Sequence, residues 1–231
     1  MNESESGHYP IAQTLDAGHK ISIVLANDEI RKLLHPFDLQ LSSGQIAQIA
    51  TYLELLLRWN QRINLTAIRA PEECVTRHFG ESLYLSRTVE LNGSLLDVGS
   101  GAGFPGLALR IEFPQLVTTS LEPVAKKRAF LKEVARACGI PHVEVRSERL
   151  EDFAAQSEAS QFDTVTARAV GQLDRLIPQA LEVLKPGGRI CLWVSREQAG
   201  ELDKIRGEIR WAEPIRVPLG REREIWVGTK G

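Results

Sequence analysis

The stretch Leu95-Leu96-Asp97-Val98-Gly99-Ser100-Gly101-Ala102-Gly103-Phe104-Pro105-Gly106 constrains this chain more than any other. Apolar residues come first and read as a buried strand. An acid, three alternating glycines and a fourth glycine follow, and a helical pattern then takes over at Leu107, Ala108, Leu109 and Ile111. Glycine tolerates left-handed backbone and carries no side chain. A ligand can therefore lie against bare backbone near the start of the next helix.

The flanking sequence repeats the same alternation. The first expected strand covers residues 94–98, after an Asn92-Gly93 turn. The second covers 117–121 and ends at Glu122. The third covers 143–145 and runs into residues 146–152. The fourth covers 162–167 and ends at Arg168, and the fifth covers 189–194, entered through Lys185-Pro186-Gly187-Gly188. Helices are expected from the glycine loop to Pro114, over residues 125–138 with Gly139 as the stop, over 173–184, and once more after the fifth strand. Residues 215–219 and 224–228 read as a closing hairpin turned by residues 220–223. This order predicts an α/β fold, a mostly parallel sheet with helices on both faces and a terminal antiparallel strand. Ligands of such open sheets sit beyond the carboxyl ends of the strands. Those ends are residues 97–103, Glu122, residues 147–151, Arg168 and the segment after Val194, all on one rim.

Ahead of the sheet, residues 1–20 are polar and read as a flexible tail. Residues 21–92 read as an N-terminal helical cap, and residues 93–231 as the sheet domain. Within the cap, a partly periodic segment over 21–34 is stopped by Pro36. Ser42 or Ser43 caps a helix whose apolar face carries Ile46, Ile49, Ala50, Leu53, Leu56 and Leu57 and which ends near Trp59-Asn60. Pro71 opens a further helix bearing Val75, Arg77, His78, Phe79 and Leu83. Residues 58–66 place two asparagines, two arginines and a tryptophan where helix gives way to loop. They serve either as a capped connection or at the ligand site. His78 has no neighbour in sequence that would make it a base, which favours a structural or hydrogen-bonding role.

Composition excludes several classes. A net charge of −2 over 231 residues is not that of a strongly basic nucleic-acid protein, so any RNA contact rests on a local patch. Cys74, Cys138 and Cys191 form no Cys-x-x-Cys and no His cluster accompanies them, so structural thiols and no metal are expected. The start of the chain lacks the basic and apolar regions of a secretion signal, and no apolar run is long enough to span a bilayer. A soluble, cytoplasmic protein is expected.

Gly101-Ala102-Gly103-Phe104-Pro105-Gly106 matches the dinucleotide fingerprint, which alone is weak. Two features point instead to S-adenosylmethionine. Asp97 precedes the glycines in the Asp-x-Gly-x-Gly-x-Gly form typical of methyltransferases. Pro105 also removes an N–H that a pyrophosphate would use, whereas S-adenosylmethionine carries no phosphate. Asp97, Gly99, Ser100, Gly101 and Gly103 are the candidate cofactor-binding residues of the loop. Glu122 can accept both ribose hydroxyls at the end of strand two. No Tyr-x-x-x-Lys pair supports a nicotinamide enzyme.

A more specific pattern runs through Arg58-Trp59-Asn60, Asn64-Leu65-Thr66, Arg77-His78-Phe79, the glycine loop, Lys126-Lys127-Arg128-Ala129-Phe130-Leu131 and Ala167-Arg168-Ala169. In order and spacing it resembles the bacterial 16S rRNA guanine-N7 methyltransferases, the RsmG or glucose-inhibited division protein B family. The resemblance implies a class I S-adenosylmethionine-dependent (Rossmann-like) fold with a helical cap. It implies that Gly99 and Phe104 touch the cofactor, that Leu150 and Glu151 sit at the adenine edge and that Arg168 lies by the reactive end. Glu122 stands where the family often has Asp. Val194-Ser195 stands where it often has Lys-Gly, with Arg196 nearby as the replacement charge.

The implied substrate is N7 of a guanine in the 530 loop of 16S rRNA, presented in a ribosomal assembly particle. That nitrogen has a lone pair and no proton, so no catalytic acid or base is expected. Arg77, Lys126, Lys127, Arg128, Arg149 and Arg168 are candidates for phosphate contacts or are ordinary solvated faces, and His78 and Arg196 join the RNA-facing set. Alternatives are a methyltransferase of the same fold acting on another RNA, a protein or a small molecule, and a non-catalytic RNA-binding protein. The chain lacks an Asn/Asp-Pro-Pro-Tyr after strand four, as an N6-adenine enzyme would need, and a Cys on the rim, as a C5-cytosine enzyme would need.

Overall fold

Side chains alternate along the strands, and each face of the sheet collects its own core. The computed structural model describes residues 25–156, 161–202, 205, 209–220 and 223–231. The expected tail, the start of the 21–34 segment and two residues of the closing turn lie outside the described residues. The strands are β1 (Ser94–Val98), β2 (Val117–Leu121), β3 (Val143–Arg146), β4 (Phe162–Arg168), β5 (Leu184–Ser195), β6 (Ile209–Trp211), β7 (Ile215–Arg216) and β8 (Arg223–Lys230). Their order is β3-β2-β1-β4-β5-β8-β6, with β7 also paired to β8. The first five run parallel, and β8 is antiparallel to β5, β6 and β7. The fold class expected from the alternation is the one found.

Helices α1 (Asn27–Leu34) and α2 (Ser43–Asn60) precede the sheet. Ser42 caps α2 in a reciprocal box: Gln45 N–H donates to Ser42 Oγ (3.2 Å) and Ser42 N–H to Gln45 Oε1 (2.8 Å). The helical run from Pro71 is less regular than its sequence predicts. It comprises α3 (Pro71–Cys74), a π-helical turn (Val75–Gly80), α4 (Glu81–Leu83) and a 3-10 turn (Tyr84–Arg87). Gly80 sits under the Phe37 ring, where a Cβ would come within 2.4 Å of ring carbon. The crossovers are α5 (Gly106–Glu112), α6 (Ala125–Ala137), α7 (Leu150–Gln156), α8 (Leu173–Val183) and α9 (Arg196–Leu202).

Leu95, Cys191, Trp193, Ile225 and Val227 face one side of the sheet and pack with α1, α2, the 71–87 run, α5 and α6. Leu96, Val98, Ile190, Leu192, Val194 and Trp226 face the other and pack with α7, α8 and α9. The three cysteines are free and buried. Two elements escaped the sequence. Helix α7 is short and holds its place by burying only Leu150 and Phe153, too few for a periodic signal. Strand β6 spans three residues and is specified by pairing to β8 rather than by its own pattern.

Glu112, at the end of α5, predicts how stability responds to pH. Its Oε2 is buried without a partner. Burial raises its carboxyl from 4.5 to about 7, against the opposing pull of Ser86 and Arg87. The folded state therefore holds this proton where the unfolded chain releases it, and the contribution is lost as pH rises from about 4.5 through 7. Urea unfolding of Glu112→Gln is expected to fall less between pH 5 and pH 8 than that of the parent, with the variant the more stable at pH 8. Parallel pH profiles for the two proteins contradict the assignment.

Candidate cofactor site and its rim

The parallel register brings the carboxyl ends of β1 to β4 level, with Val98 beside Leu121 and Ala167, and Leu121 beside Arg146. The glycine loop leaves β1 there with three left-handed glycines, Gly99 (φ +67°), Gly101 (φ +54°) and Gly103 (φ +86°). They do different work. A Cβ on Gly99 or Gly101 would approach nothing closer than 3.5 Å, so these two border open space. A Cβ on Gly103 would fall 2.1 Å from the Tyr52 hydroxyl, and one on Gly106 within 2.6 Å of the Asp97 side chain. Those two are small because the chain packs against them.

A cavity of about 580 Å³ opens beside Gly99. Val98, Gly99, Leu121, Pro123 and Leu150 line it, together with Glu148, Arg149, Glu151 and a wall from residues 170–179. Its size lies within the roughly 300–1,000 Å³ of small-molecule sites. Glu122, buried at the end of β2, accepts from Gly101 N–H (2.9 Å, Oε2) and Val124 N–H (2.8 Å, Oε1). A carboxylate has about four lone-pair directions, so each oxygen retains capacity for a hydroxyl donor. Apolar walls for a purine, a strand-end acid for a ribose and bare glycine backbone fit an adenosyl cofactor.

The structure brings Gly99, Arg149, Leu150 and Glu151 together around this cavity, with Glu122 bracing the loop. Other expected site residues are placed elsewhere. Asp97 is sealed beneath the loop, fully buried, and takes Thr166 Oγ1 on Oδ1 (2.9 Å), while Oδ2 has no partner. Burial raises its carboxyl to about 6, partly offset by its hydrogen-bonding neighbours. It supports the loop from below. Ser100 is likewise buried and spends its hydroxyl on the Asp97 carbonyl (3.0 Å). Phe104 is stacked between Tyr52 (5.2 Å) and His78 (4.8 Å), and both ring faces are therefore covered. Its part is to anchor the loop.

His78 takes the hydrogen-bonding role its sequence context favours, not the RNA-facing one. Its Nε2 is 2.9 Å from Thr66 Oγ1, and burial followed by the charges of Arg168, Arg77 and Arg223 lowers it to about 3. A neutral imidazole in a stack is no phosphate-binding cation. Arg168 stands at the end of β4, on the rim expected of it, but its guanidinium is turned inward and is not offered to phosphate. Its side chain is 10% exposed, and its guanidinium donates to Glu81 Oε2 (2.8 Å), the Arg77 carbonyl (2.7 Å) and Ser82 Oγ (3.1 Å). Arg77 pairs with Glu73 (2.6 Å) and remains half exposed. Arg128 donates to the Glu122 carbonyl (3.0 Å), holding the end of β2. Lys126 and Arg149 are exposed, Lys127 is half exposed, and Arg196 is exposed at the start of α9. Asn60, buried, bonds the backbone of Leu65, Thr66 and Ile68, so the 58–66 segment is a tied connection.

Three features of the site are not announced by the motifs. Gln172, Arg175, Leu176 and Gln179 form one wall of the cavity at three- and four-residue steps, legible as the helix face after the end of strand four. Glu81 is a buried acid set among Phe79, Gly80, Ser82 and Leu83, a polar interruption of an apolar run. Tyr52 sits among the apolar positions of α2 and reads as ordinary core.

Sheet order, the glycine loop with its strand-end acid, and the cavity between them define a class I S-adenosylmethionine-dependent methyltransferase. Solved structures of that fold include a ribosomal protein L11 methylase from Lactobacillus delbrueckii subsp. bulgaricus, with a TM-score of 0.55 and 15% identity over 67% of this chain and 78% of that one. A SAM-dependent methyltransferase from Aquifex aeolicus matches with a TM-score of 0.53 and 13% identity over 68% and 92%. The GidB family, described as rRNA small subunit methyltransferase G, matches residues 45–218. Ribosomal RNA small subunit methyltransferase G of Chloroflexus aggregans is 39% identical, covering 82% of this chain and 84% of its own. The enzyme of the same name from Lactococcus lactis subsp. cremoris strain SK11 is 39% identical over 88% and 90%. The chain belongs to the rRNA small subunit methyltransferase G family, and it is an S-adenosylmethionine-dependent rRNA methyltransferase. Among the described residues no cluster of His, Cys, Asp and Glu can hold a metal, and no helix is long and apolar enough to cross a membrane.

Proposed function

We propose that this chain methylates N7 of a guanine in the 530 loop of 16S rRNA within a ribosomal assembly particle in the cytoplasm, residues 21–92 serving as cap to the methyltransferase domain of residues 93–231. The observation that carries the reading is a cavity at the glycine loop, lined for an adenosyl group, in a chain whose relatives are named for the small ribosomal subunit. The bound cofactor supplies a methyl group on a positively charged sulfur. Gly99 gives the cofactor access to bare backbone, Glu122 accepts from its ribose, and Leu150 and Glu151 border its adenine.

Guanine N7 needs no base to deprotonate it, so the protein's work is placement, and alignment of the two reactants is worth on the order of 7–11 kcal/mol. The deep major groove of A-form RNA hides N7 from side chains, which favours a loop or incompletely folded target. Arg149, exposed on the cavity's lining, and the exposed Lys126 with Lys127 beside it in sequence offer phosphate contacts. The test compares 16S rRNA from a deletion strain and its parent by N7-specific chemical cleavage. A single 530-loop guanine is expected to lose its cleavage signal in the deletion strain and regain it on complementation. Identical cleavage in both strains rejects the substrate.

A further inference from the structure

The glycine loop is a chain of left-handed glycines, and glycine is the residue with the most conformational freedom to lose. Within itself the loop makes few bonds. Ser100 N–H reaches the Leu121 carbonyl (3.0 Å), Gly103 N–H the Ser100 carbonyl (2.6 Å) and Leu107 N–H the Gly103 carbonyl (2.9 Å). Gly101 N–H goes to Glu122 (2.9 Å). All of these leave the side of the loop that faces the N-terminal helices to be fixed from outside.

That side is held by α2. The Tyr52 hydroxyl donates to the Ala102 carbonyl, between the two left-handed glycines Gly101 and Gly103. Its ring lies 5.2 Å from Phe104 at an interplanar angle of 11°, and His78 covers the other face of Phe104 at 4.8 Å and 15°. Phe79 closes the group edge-on to both Tyr52 (5.1 Å) and Phe104 (4.9 Å). Tyr52 is fully buried, and burial holds its phenol well above the ordinary value, so the donor proton stays in place. The fit is reciprocal, because any side chain at Gly103 would occupy the space of the Tyr52 oxygen.

We propose that Tyr52 is a positioning residue for S-adenosylmethionine. It touches no wall of the cavity, and it acts by holding Ala102 and Phe104 so that the glycine loop is set in its binding shape before the cofactor arrives. This rests on the cofactor assignment above. When only a fraction of molecules holds the competent loop, the apparent dissociation constant rises by the inverse of that fraction. Tyr52→Phe removes only the donor and keeps the stack. Tyr52→Leu removes both.

Calorimetry with S-adenosylmethionine at a temperature far below unfolding is the test. Binding is expected to weaken about tenfold in Tyr52→Phe, the order of one lost buried hydrogen bond, and further in Tyr52→Leu. In turnover with small ribosomal subunits, KM for the cofactor is expected to rise in Tyr52→Phe while kcat at saturating cofactor stays within about twofold. Ile190→Val, in the core on the opposite face of the sheet, provides a destabilised protein with an untouched loop. It is expected to bind as the parent does. Parent-like affinity in both Tyr52 variants overturns the proposal while sparing the cofactor assignment, as does equal weakening in Ile190→Val. A parent protein that binds no S-adenosylmethionine overturns both.

Discussion

Gly101→Asp is expected to leave the protein folded and to weaken S-adenosylmethionine binding by at least about a hundredfold in calorimetry, close to 2.7 kcal/mol. Its backbone φ of +54° lies in the left-handed region, which aspartate tolerates better than most residues. A Cβ there meets only the Gly99 carbonyl oxygen at 3.7 Å. The fold therefore accepts the side chain, and the damage is confined to the ligand side of the loop. Gly101 N–H is bonded to Glu122 Oε2 at 2.9 Å, so the new carboxylate also arrives beside an existing one. Bulk and like charge then act together where an adenosyl group must lie. Gly101→Asn separates them and is expected to recover part of the affinity. The contrast is Gly103→Ala, where the added methyl strikes the Tyr52 oxygen and binding is lost together with stability. A Gly101→Asp protein that binds as the parent does would remove the loop from the cofactor site.

The rim was legible because strand ends and glycine spacing are one-dimensional signals. Residues 94–98 and 117–121, Glu122 and the Gly99–Gly103 alternation all stand where period and punctuation put them. What escaped depends on partners distant in sequence. Asp97 reads as a ligand acid, but β1 is flanked on both sides by parallel strands and its inward residues are buried, which puts the carboxyl under the loop. Phe104 reads as a cofactor contact because it sits in the motif. Its neighbours Tyr52 and His78 come from the N-terminal helices, and only packing shows that they cover it. Arg168 reads as a rim cation since it ends a strand. Its direction is set by Glu81, 87 positions earlier in the chain, and no local pattern announces that pairing.

That pairing carries the second large effect. Glu81 is 2% exposed and gives one oxygen to two guanidiniums, Arg168 Nη2 at 2.8 Å and Arg223 Nη1 at 2.8 Å. Its other oxygen lies 3.9 Å from Arg77 Nε, and its carbonyl accepts from Trp193 Nε1 at 2.7 Å. One carboxylate thus joins the 71–87 run to the ends of β4 and β8. Arg223 is a third exposed and can turn to water, but Arg168, at 10%, cannot. Burial already lowers Arg168 to about 10, and Glu81 is the nearby charge that opposes this shift. Removing one member of a buried pair costs about 3–5 kcal/mol because the other charge is left uncompensated. At roughly 2–4 °C per kcal/mol for a chain of this size, Glu81→Ala is expected to melt about 6–20 °C below the parent. Glu81→Gln, which keeps the shape and a hydrogen-bonding oxygen, falls between. Glu81→Leu combined with Arg168→Met removes the stranded charge along with its partner and is expected to be more stable than Glu81→Ala alone. Melting of Glu81→Ala within 2 °C of the parent would mean that solvent reaches Arg168 and that the carboxylate is not what holds these three segments together.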